Sequence, residues 1–164
     1  MLKFMSVAVL SALLATSAAA QEAPPLSEGQ TVYVPVYSHI LHGNRDGRGE
    51  AQTLLLSSML SIRNTDPDQG LTVRSVKYFD TAGKLLREYL AQPAKLGPMA
   101  STDFFIENRD DKGGSGANFL VVWDAPKPLN PPIVETVNAY FFGSQSAAFT
   151  SHGRPIRTSP QVTR

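Results

Sequence analysis

Hydrophobic and polar residues alternate along much of this chain, a pattern that predicts β-strands. The clearest case is the segment 52–63, in which Leu54 and Leu60 share one face and Ser57 and Ser61 share the other. Side chains of a strand point alternately to opposite faces, so this period of two residues indicates a strand with one buried face.

Similar short segments recur, and clusters of glycine, proline, asparagine and aspartate separate them. The predicted strands are residues 31–37, 52–63, 71–79, 85–90, 101–107, 119–123, 133–142 and 147–151. Residues 84–90 also contain good helix formers, so a short helix is the alternative there. Turn signals recur roughly every 8–12 residues, which favours an all-β fold. We expect an antiparallel β-sandwich of about 7–8 strands with immunoglobulin-like topology, and a small β-barrel is the alternative.

Local features refine this prediction. The hydrophobic positions change parity between Val73 and Val76, which predicts a β-bulge between them. Pro35 lacks an N–H, so its strand is expected at a sheet edge or with a bulge. Turn residues in segment 39–50 predict a loop, and four prolines in segment 124–132 predict irregular structure.

The first 20 residues have the layout of a cleaved secretory signal peptide. Lys3 precedes an apolar stretch, and the small residues Ala18 and Ala20 suit cleavage before Gln21. The predicted organisation is a signal peptide at 1–20, a flexible leader at 21–30, one β-sandwich domain at 31–152 and a loose basic tail at 153–164. This layout predicts a protein of the periplasm or one that is secreted.

Composition and charge narrow the classes of function. The 164 residues include 15 Lys and Arg, 14 Asp and Glu, and no cysteine. Because Lys3 lies in the predicted signal peptide, the mature chain is formally neutral, which argues against nucleic acid as a partner. No later segment has the length of a membrane span, so none is expected after cleavage. The lack of cysteine excludes thiol catalysis.

The three histidines form the first candidate site. His39 and His42 have an i, i+3 spacing, and His152 could approach them if the first and last strands are neighbours. Imidazole nitrogens are common ligands of zinc and copper, so one of these metals is the cofactor that such a site would hold. The alternative is three loop histidines that bond to backbone or water.

A glycine-rich loop is the second candidate, as a contact surface for a ligand or partner. Its residues are Gly113, Gly114, Ser115, Gly116 and Asn118. Backbone amides in such loops can bind an anion, and a ligand that orders the loop would offset the entropy of its glycines. The pattern is not that of a P-loop, and the alternative is a wide loop whose glycines adopt positive φ.

Acidic residues supply two further candidates. Asn64, Asp66 and Asp68 have the spacing of calcium ligands, but Ser75 stands where a calcium loop needs a glutamate. We therefore expect these side chains to form Asx turns. Four other carboxylates could converge for a weak hydrolase, although their spacing does not favour it. They are Glu107, Asp110, Asp111 and Glu135.

Several phrases of the sequence resemble a family of exported bacterial proteins known only as a domain of unknown function. The phrases are GQTVYVPVYSHI (29–40), LSIRNTDP (60–67), GGSGANFLVVW (113–123), NPPIVE (130–135) and FTSHGR (149–154). They extend over nearly all of the chain after the predicted signal peptide. The resemblance implies an exported single-domain protein, and it brings no catalytic residues with it.

Together these observations favour a non-enzymatic binding module that recognises an envelope protein or component. Its contact surfaces would be the edge strands and the glycine-rich loop. The alternatives are a periplasmic metal-binding protein that uses the histidines and a weak hydrolase that uses the clustered carboxylates.

Overall fold

A computed structural model describes residues 24–158 of the chain. These residues form twelve β-strands and no helix, so they include no helix that could cross a membrane. In chain order the strands are β1 Ser27–Pro35, β2 His39–His42, β3 Gln52–Leu55, β4 Ser57–Arg63, β5 Leu71–Phe79, β6 Leu85–Glu88, β7 Ala94–Leu96, β8 Ser101–Ile106, β9 Asn118–Leu129, β10 Ile133–Phe142, β11 Gln145–His152 and β12 Arg154–Thr158.

The strands are arranged in two larger sheets and one hairpin. The six-stranded sheet has the order β12, β1, β9, β5 and β6, and β7 pairs with a separate part of β5. The four-stranded sheet has the order β11, β10, β4 and β8, and β2 and β3 form the hairpin. Strand pairs are antiparallel, and neither large sheet closes into the alternative small barrel. The predicted all-β sandwich is therefore confirmed.

The hydrophobic core lies between the two larger sheets. Leu60 and Ile62 of β4 are fully buried, as are Phe119 and Val121 of β9. Trp123 is also buried, which agrees with the apolar pattern of its strand. The aromatic side chains of β9 are therefore core residues.

Several local predictions are confirmed. The register of β5 against β9 shifts between Val73 and Ser75, where the parity of the hydrophobic positions changes. Residues 85–88 form strand β6, which pairs with β5 in place of the alternative helix. The turn before β6 contains Gly83 with a φ of 79°, a conformation that glycine adopts without strain.

The boundaries of the domain differ from the prediction at both ends. Strand β1 begins at Ser27, inside the predicted leader, and β12 lies inside the predicted tail. Tyr33 of β1 pairs with Arg154 of β12, so the tail supplies a strand to the open side of β1. An edge strand tolerates proline and charged residues, and such residues are poor strand signals in a sequence. This explains why the sequence does not predict a strand at Arg154–Thr158. Residues 1–23 and 159–164, including the predicted signal peptide, lie outside the described residues.

The predicted loop at 39–50 is also partly a strand. His39–His42 forms β2 and pairs with Gln52–Leu55, so the turn residues form only the loop of a hairpin. The predicted strand 52–63 is correspondingly divided at Leu56. The backbone N–H of the buried residue Leu56 donates to the carbonyl of Ser38 over 2.8 Å, and this bond closes the base of the β2–β3 hairpin.

Pro35 occupies the last position of β1, which is an interior strand and not the edge strand of the prediction. The register of β1 against β12 nevertheless shifts between Thr31 and Val32, as the predicted alternative of a bulge requires. The Pro35 carbonyl accepts a hydrogen bond from Thr136 Oγ1 over 2.6 Å. In a strand, the N–H and C=O of one residue point to the same side, so the missing donor faces away from β9. The pairing of β12 with β1 ends at Tyr33, before it reaches Pro35. The proline therefore removes no sheet hydrogen bond.

Strand β9 continues through the segment that was expected to be irregular. Its pairing with β5 and β1 reaches Asp124, and Leu129 pairs again with Ser27. Pro126 and Pro128 lie between these points, where the register has no partners. Proline is compatible with this extended but unpaired backbone.

Candidate functional site

A groove opens where edge strand β6 of one sheet comes close to edge strand β8 of the other. We call it the edge groove. Two adjoining cavities of about 290 and 390 Å³ form it, and Arg87 and Asp110 line both. Its lining residues are Tyr78, Lys84, Leu85, Leu86, Arg87, Phe105, Ile106, Glu107, Asp110 and Lys112. The loop after β8 thus forms a wall that faces both strands.

Tyr78 lines the base of the edge groove, and its hydroxyl is buried against Gly113 of the glycine-rich loop. Tyr78 is 1% exposed, and its ring packs on Phe119 with centroids 5.2 Å apart. Tyr78 Oη has no hydrogen-bond partner among the described residues. Gly113 lies against this oxygen so closely that a Cβ there would overlap it. The sequence places Tyr78 on the inward side of β5 with Val76, so a buried hydroxyl could have been noticed from that pattern.

The electrostatic surroundings keep the Tyr78 side chain neutral. Burial raises the pKa of the phenol well above its ordinary value, and the negative charge of Asp110 raises it further. A neutral phenol can donate one hydrogen bond and accept others. Tyr78 is therefore suited to binding a polar group rather than to acting as a base.

Asp110 offers a second unpartnered polar atom in the same groove. Its side chain is half-buried, and Asp110 Oδ1 has no hydrogen-bond partner in the described part of the chain. Its backbone N–H donates to the carbonyl of Glu107 over 3.0 Å, which closes a turn at the start of the loop. A carboxylate oxygen accepts hydrogen bonds, so Asp110 would complement a hydroxyl or amine donor.

Basic side chains surround these two atoms. The guanidinium carbon of Arg87 lies 5.2 Å from the centroid of the Tyr89 ring, an arrangement that restricts its position. Burial raises the pKa of Tyr89, and the charge and hydrogen bond of Arg87 oppose that shift. Lys84 and Lys112 also line the groove. Glu107 pairs with Arg109 over 2.8 Å, so Asp110 is the one lining carboxylate without an ion pair within the described residues.

Comparison with known families establishes the family of this chain. Residues 29–156 match the model of a family described as protein of unknown function, DUF3124. The chain belongs to this family. The resemblance to a domain of unknown function is therefore confirmed.

Comparison with individual proteins adds little beyond the family. A crystal structure of Thermotoga maritima 1070 aligns with a TM-score of 0.43 at 12% sequence identity, covering 76% of this chain and 92% of that chain. No curated protein matches the chain.

The three histidines of this DUF3124 member do not form a metal cluster. His39 and His42 lie in strand β2, where an i, i+3 spacing places side chains on opposite faces. His152 ends β11, and its Nδ1 lies 3.5 Å from Glu135 Oε2. Residues 24–158 contain no group of three or more His, Cys, Asp or Glu that could hold a metal ion. The geometry therefore gives the zinc or copper hypothesis no support.

The glycine-rich loop is held by hydrogen bonds within the chain. Ser38 Oγ accepts from the N–H of Gly114 over 2.8 Å and donates to the carbonyl of Asp111 over 3.1 Å. Thr81 Oγ1 accepts from the N–H of Gly116 over 3.0 Å. A Cβ at Gly114 would overlap Thr81, and Gly114 has a φ of 82°. Close packing and positive φ thus explain why the loop contains glycine, and no ligand is needed for that explanation. Of the other two loop residues, Ser115 is exposed and Asn118 begins β9.

The candidate carboxylates divide into two groups. Glu107 and Asp110 line the same cavity, as a hydrolase would need. Asp111 does not line it, and Glu135 lies in β10 beside Arg63 and His152. The structure thus brings two of the four together and leaves the others apart.

The predicted Asx turns are confirmed at the other end of the sandwich. Asn64 Oδ1 accepts from the N–H of Asp66, and Asp66 Oδ1 accepts from the N–H groups of Asp68 and Gln69. Asp66 Oδ2 accepts from the N–H of Asn130 over 3.2 Å. These bonds join the NTDP and NPP phrases into one corner, which explains both phrases without calcium.

Proposed function

We propose that this protein is an exported, non-enzymatic binding module whose edge groove takes a small organic anion that also carries hydroxyl groups. The observation that carries this proposal is the unpartnered hydroxyl of Tyr78, a residue at the base of a groove lined by cations. The ligand would be a component of the envelope or of the surrounding medium.

The unpartnered atoms favour a polar ligand. A buried polar group without a hydrogen bond costs about 1–3 kcal/mol of stability, so native proteins leave few of them. Both atoms are buried, so a ligand oxygen would accept from Tyr78, and a ligand hydroxyl would donate to Asp110 Oδ1, only after the adjoining loop that contains Gly113 shifts. One hydroxyl-bearing molecule can complement both atoms.

The charges favour an anionic ligand. Lys84, Arg87 and Lys112 outnumber the lining carboxylates, and Arg109 already pairs with one of these, Glu107. The planar guanidinium of Arg87 suits a carboxylate, which it can bind through two parallel hydrogen bonds. The groove thus combines an anion site with two hydroxyl contacts.

The chemistry of the groove supports binding rather than turnover. The raised pKa of Tyr78 keeps a base or nucleophile from forming at that oxygen. Glu107 forms an exposed ion pair with Arg109, which distinguishes it from Asp110, the carboxylate of the same cavity that has no ion pair among residues 24–158. Export rests on the layout of residues 1–20, and the immunoglobulin-like topology stays a prediction.

Isothermal titration with three matched probes tests the proposal. D-gluconate carries a carboxylate and hydroxyls, hexanoate carries only the carboxylate, and glucose carries only hydroxyls. We expect measurable binding of gluconate alone. When gluconate is present at about 100-fold over its dissociation constant, it should also raise the free energy of unfolding by ~2.7 kcal/mol. Equal binding of hexanoate, or no binding of gluconate, would overturn the proposal.

Variants locate the binding in the groove. We expect Tyr78→Phe and Arg87→Gln each to weaken gluconate binding by about tenfold or more. Lys95→Gln is the matched control, because Lys95 is an exposed cation on β7 outside the groove. Loss of binding in the control as well would place the site elsewhere.

A further inference from the structure

The outermost strands of the two larger sheets differ in how well they are protected from pairing with another chain. An unpaired strand edge invites such pairing, and charge, proline, bulges or short length normally prevent it. Strand β6 has four residues, including Arg87 and Glu88, and β8 carries Asp103 at its middle. Strand β12 contains Pro155 between basic residues. Each of these edges has at least one protective feature.

Strand β11 has none of these protective features. It runs for eight residues, Gln145–His152, without Lys, Arg, Asp, Glu, Pro or Gly. All eight residues pair in sequence with β10, so no bulge twists the edge away. It ends the order of its sheet, and its first four side chains are exposed. The result is a flat, uncharged edge long enough for another strand.

We propose that β11 is a dimerisation edge, at which two copies of this chain pair antiparallel about a two-fold axis at Ala148. A symmetric pair requires an edge that is complementary to itself. Self-pairing of β6, β8 or β12 about Arg87, Asp103 or Arg157 would oppose two like charges, which destabilises strand pairs. Strand β11 allows self-pairing about any of its central residues without that repulsion.

The faces of the sheet require the two-fold axis to pass through a residue and not between two residues. A two-fold axis perpendicular to a sheet matches each face with itself, so opposed residues must point to the same side. Asn138 of β10 is buried and pairs with Phe149, whereas Ala139 pairs with Ala148 on the other face. Centring the axis on Ala148 therefore opposes Ala148 to its copy. It also opposes Ala147 to Phe149, a small side chain to a large one.

The alternative register, centred on Phe149, is less suitable. It would oppose two phenylalanine rings, and each ring is already held edge-on against Tyr37 of its own chain at 5.4 Å. The Ala148 register leaves that contact in place. It also opposes Ser146 to Thr150 and Gln145 to Ser151, which are uncharged polar pairs.

Two exposed aromatic residues lie beside the proposed interface. Phe141 and Phe142 are 76% and 74% exposed, the highest values among the large hydrophobic residues of the described chain. They pair with Ser146 and Gln145, so they lie on the strand next to the edge. Between Glu135 and His152 the hairpin has no charged residue. Each end of the paired strands would therefore have an exposed aromatic pair one strand away from the interface.

Sedimentation analysis with matched lysine variants tests the dimer. We expect the dimer fraction of the wild type to rise with concentration, and Ala148→Lys to weaken association by about tenfold or more because two lysines would face each other. Ser101→Lys is the control, since Ser101 is exposed on β8, the opposite edge of the same sheet. A wild type that is monomeric up to about millimolar concentration, or an Ala148→Lys variant that dimerises equally well, would overturn the proposal.

The absence of native cysteine allows a second test that does not depend on repulsion. A disulfide in the variant Ala148→Cys can form only with another copy of the chain. Opposed residues of paired strands lie within the range that a disulfide spans, so we expect rapid formation of a covalent dimer on mild oxidation. Ser101→Cys should crosslink much more slowly. Equal rates for the two variants would contradict pairing at β11.

Discussion

Two buried hydroxyl groups, those of Tyr78 and Thr136, have opposite surroundings. Thr136 Oγ1 donates to the carbonyl of Pro35, whereas Tyr78 Oη has no partner among the described residues. The cost of deleting a buried polar group depends on whether a partner is left unpaired. Removing the Thr136 hydroxyl should therefore destabilise the fold, whereas removing the Tyr78 hydroxyl should not.

We predict that Tyr78→Phe leaves the ligand-free protein as stable as the wild type or more stable by up to about 1 kcal/mol. Thr136→Val removes a hydroxyl of similar burial, but it leaves the Pro35 carbonyl unpaired, so we expect a loss of about 1–3 kcal/mol. Urea unfolding monitored through Trp123 measures both. A large destabilisation by Tyr78→Phe would show that the hydroxyl has a structural partner after all.

Asp66 should contribute to the acid sensitivity of the fold. The N–H of Asp68 is the largest cause that lowers the pKa of Asp66, and burial partly opposes it. Because the folded pKa is below the unfolded value of about 3.9, the carboxylate stabilises the fold above that pH. The contribution is lost as the pH falls through the folded pKa.

We therefore predict that Asp66→Asn lowers stability at pH 7 and flattens the decline of stability below about pH 4. Urea unfolding at several pH values measures this. Asp103→Asn on β8 is the control, and its profile should follow the wild type. An Asp66→Asn profile that declines as steeply as the wild type would contradict the assignment.

Some strands of this fold can be predicted from local sequence patterns, and others cannot. The bulge in β5 is predicted because Val73 and Val76 are both hydrophobic but are three residues apart, which in a regular strand would put them on opposite faces. Strand β10 has the bounds that its hydrophobic pattern predicts. Strand β12 was missed because Pro155 and its basic neighbours are tolerated only at an edge, and an edge is defined by distant strands. The edge groove was missed for a similar reason, since β5, β6, β8 and a loop contribute to it.

The glycine-rich loop packs against strand β5 through the contact of Gly113 with Tyr78. We predict that Gly113→Ala destabilises the protein by about 1–3 kcal/mol, because the new Cβ would overlap the Tyr78 hydroxyl. Gly47→Ala is the control, since nothing lies within 4 Å of its Cβ position. Part of the loss should be recovered in the double variant with Tyr78→Phe. Strictly additive effects would show that the two residues do not meet.

At the scale of the whole molecule, the described domain and the proposed export depend on different parts of the sequence. The fold of residues 24–158 is stabilised by a core between two sheets and contains no disulfide. Residues 1–20 carry the predicted signal peptide. Export therefore needs a test that is independent of folding.

We predict that the mature protein begins at Gln21 when it is produced in a bacterial host with an intact secretion system. Intact-mass measurement of the periplasmic fraction checks the cleavage site. Ala20→Leu should block processing, because signal cleavage needs a small residue there. Ala15→Leu is the control outside the cleavage motif. A full-length protein retained in the cytoplasm would contradict export.

The pairing of β12 with β1 has a consequence for folding order. Strand β1 is among the first parts of the domain to be synthesised, and its partner on one side comes last. Contacts between residues far apart in sequence form slowly, because a long loop must close first. The outer backbone groups of β1 are thus exposed until the rest of the sandwich has formed. In that interval they can pair with the wrong strand, so a chaperone that covers β1 would raise the yield of native protein.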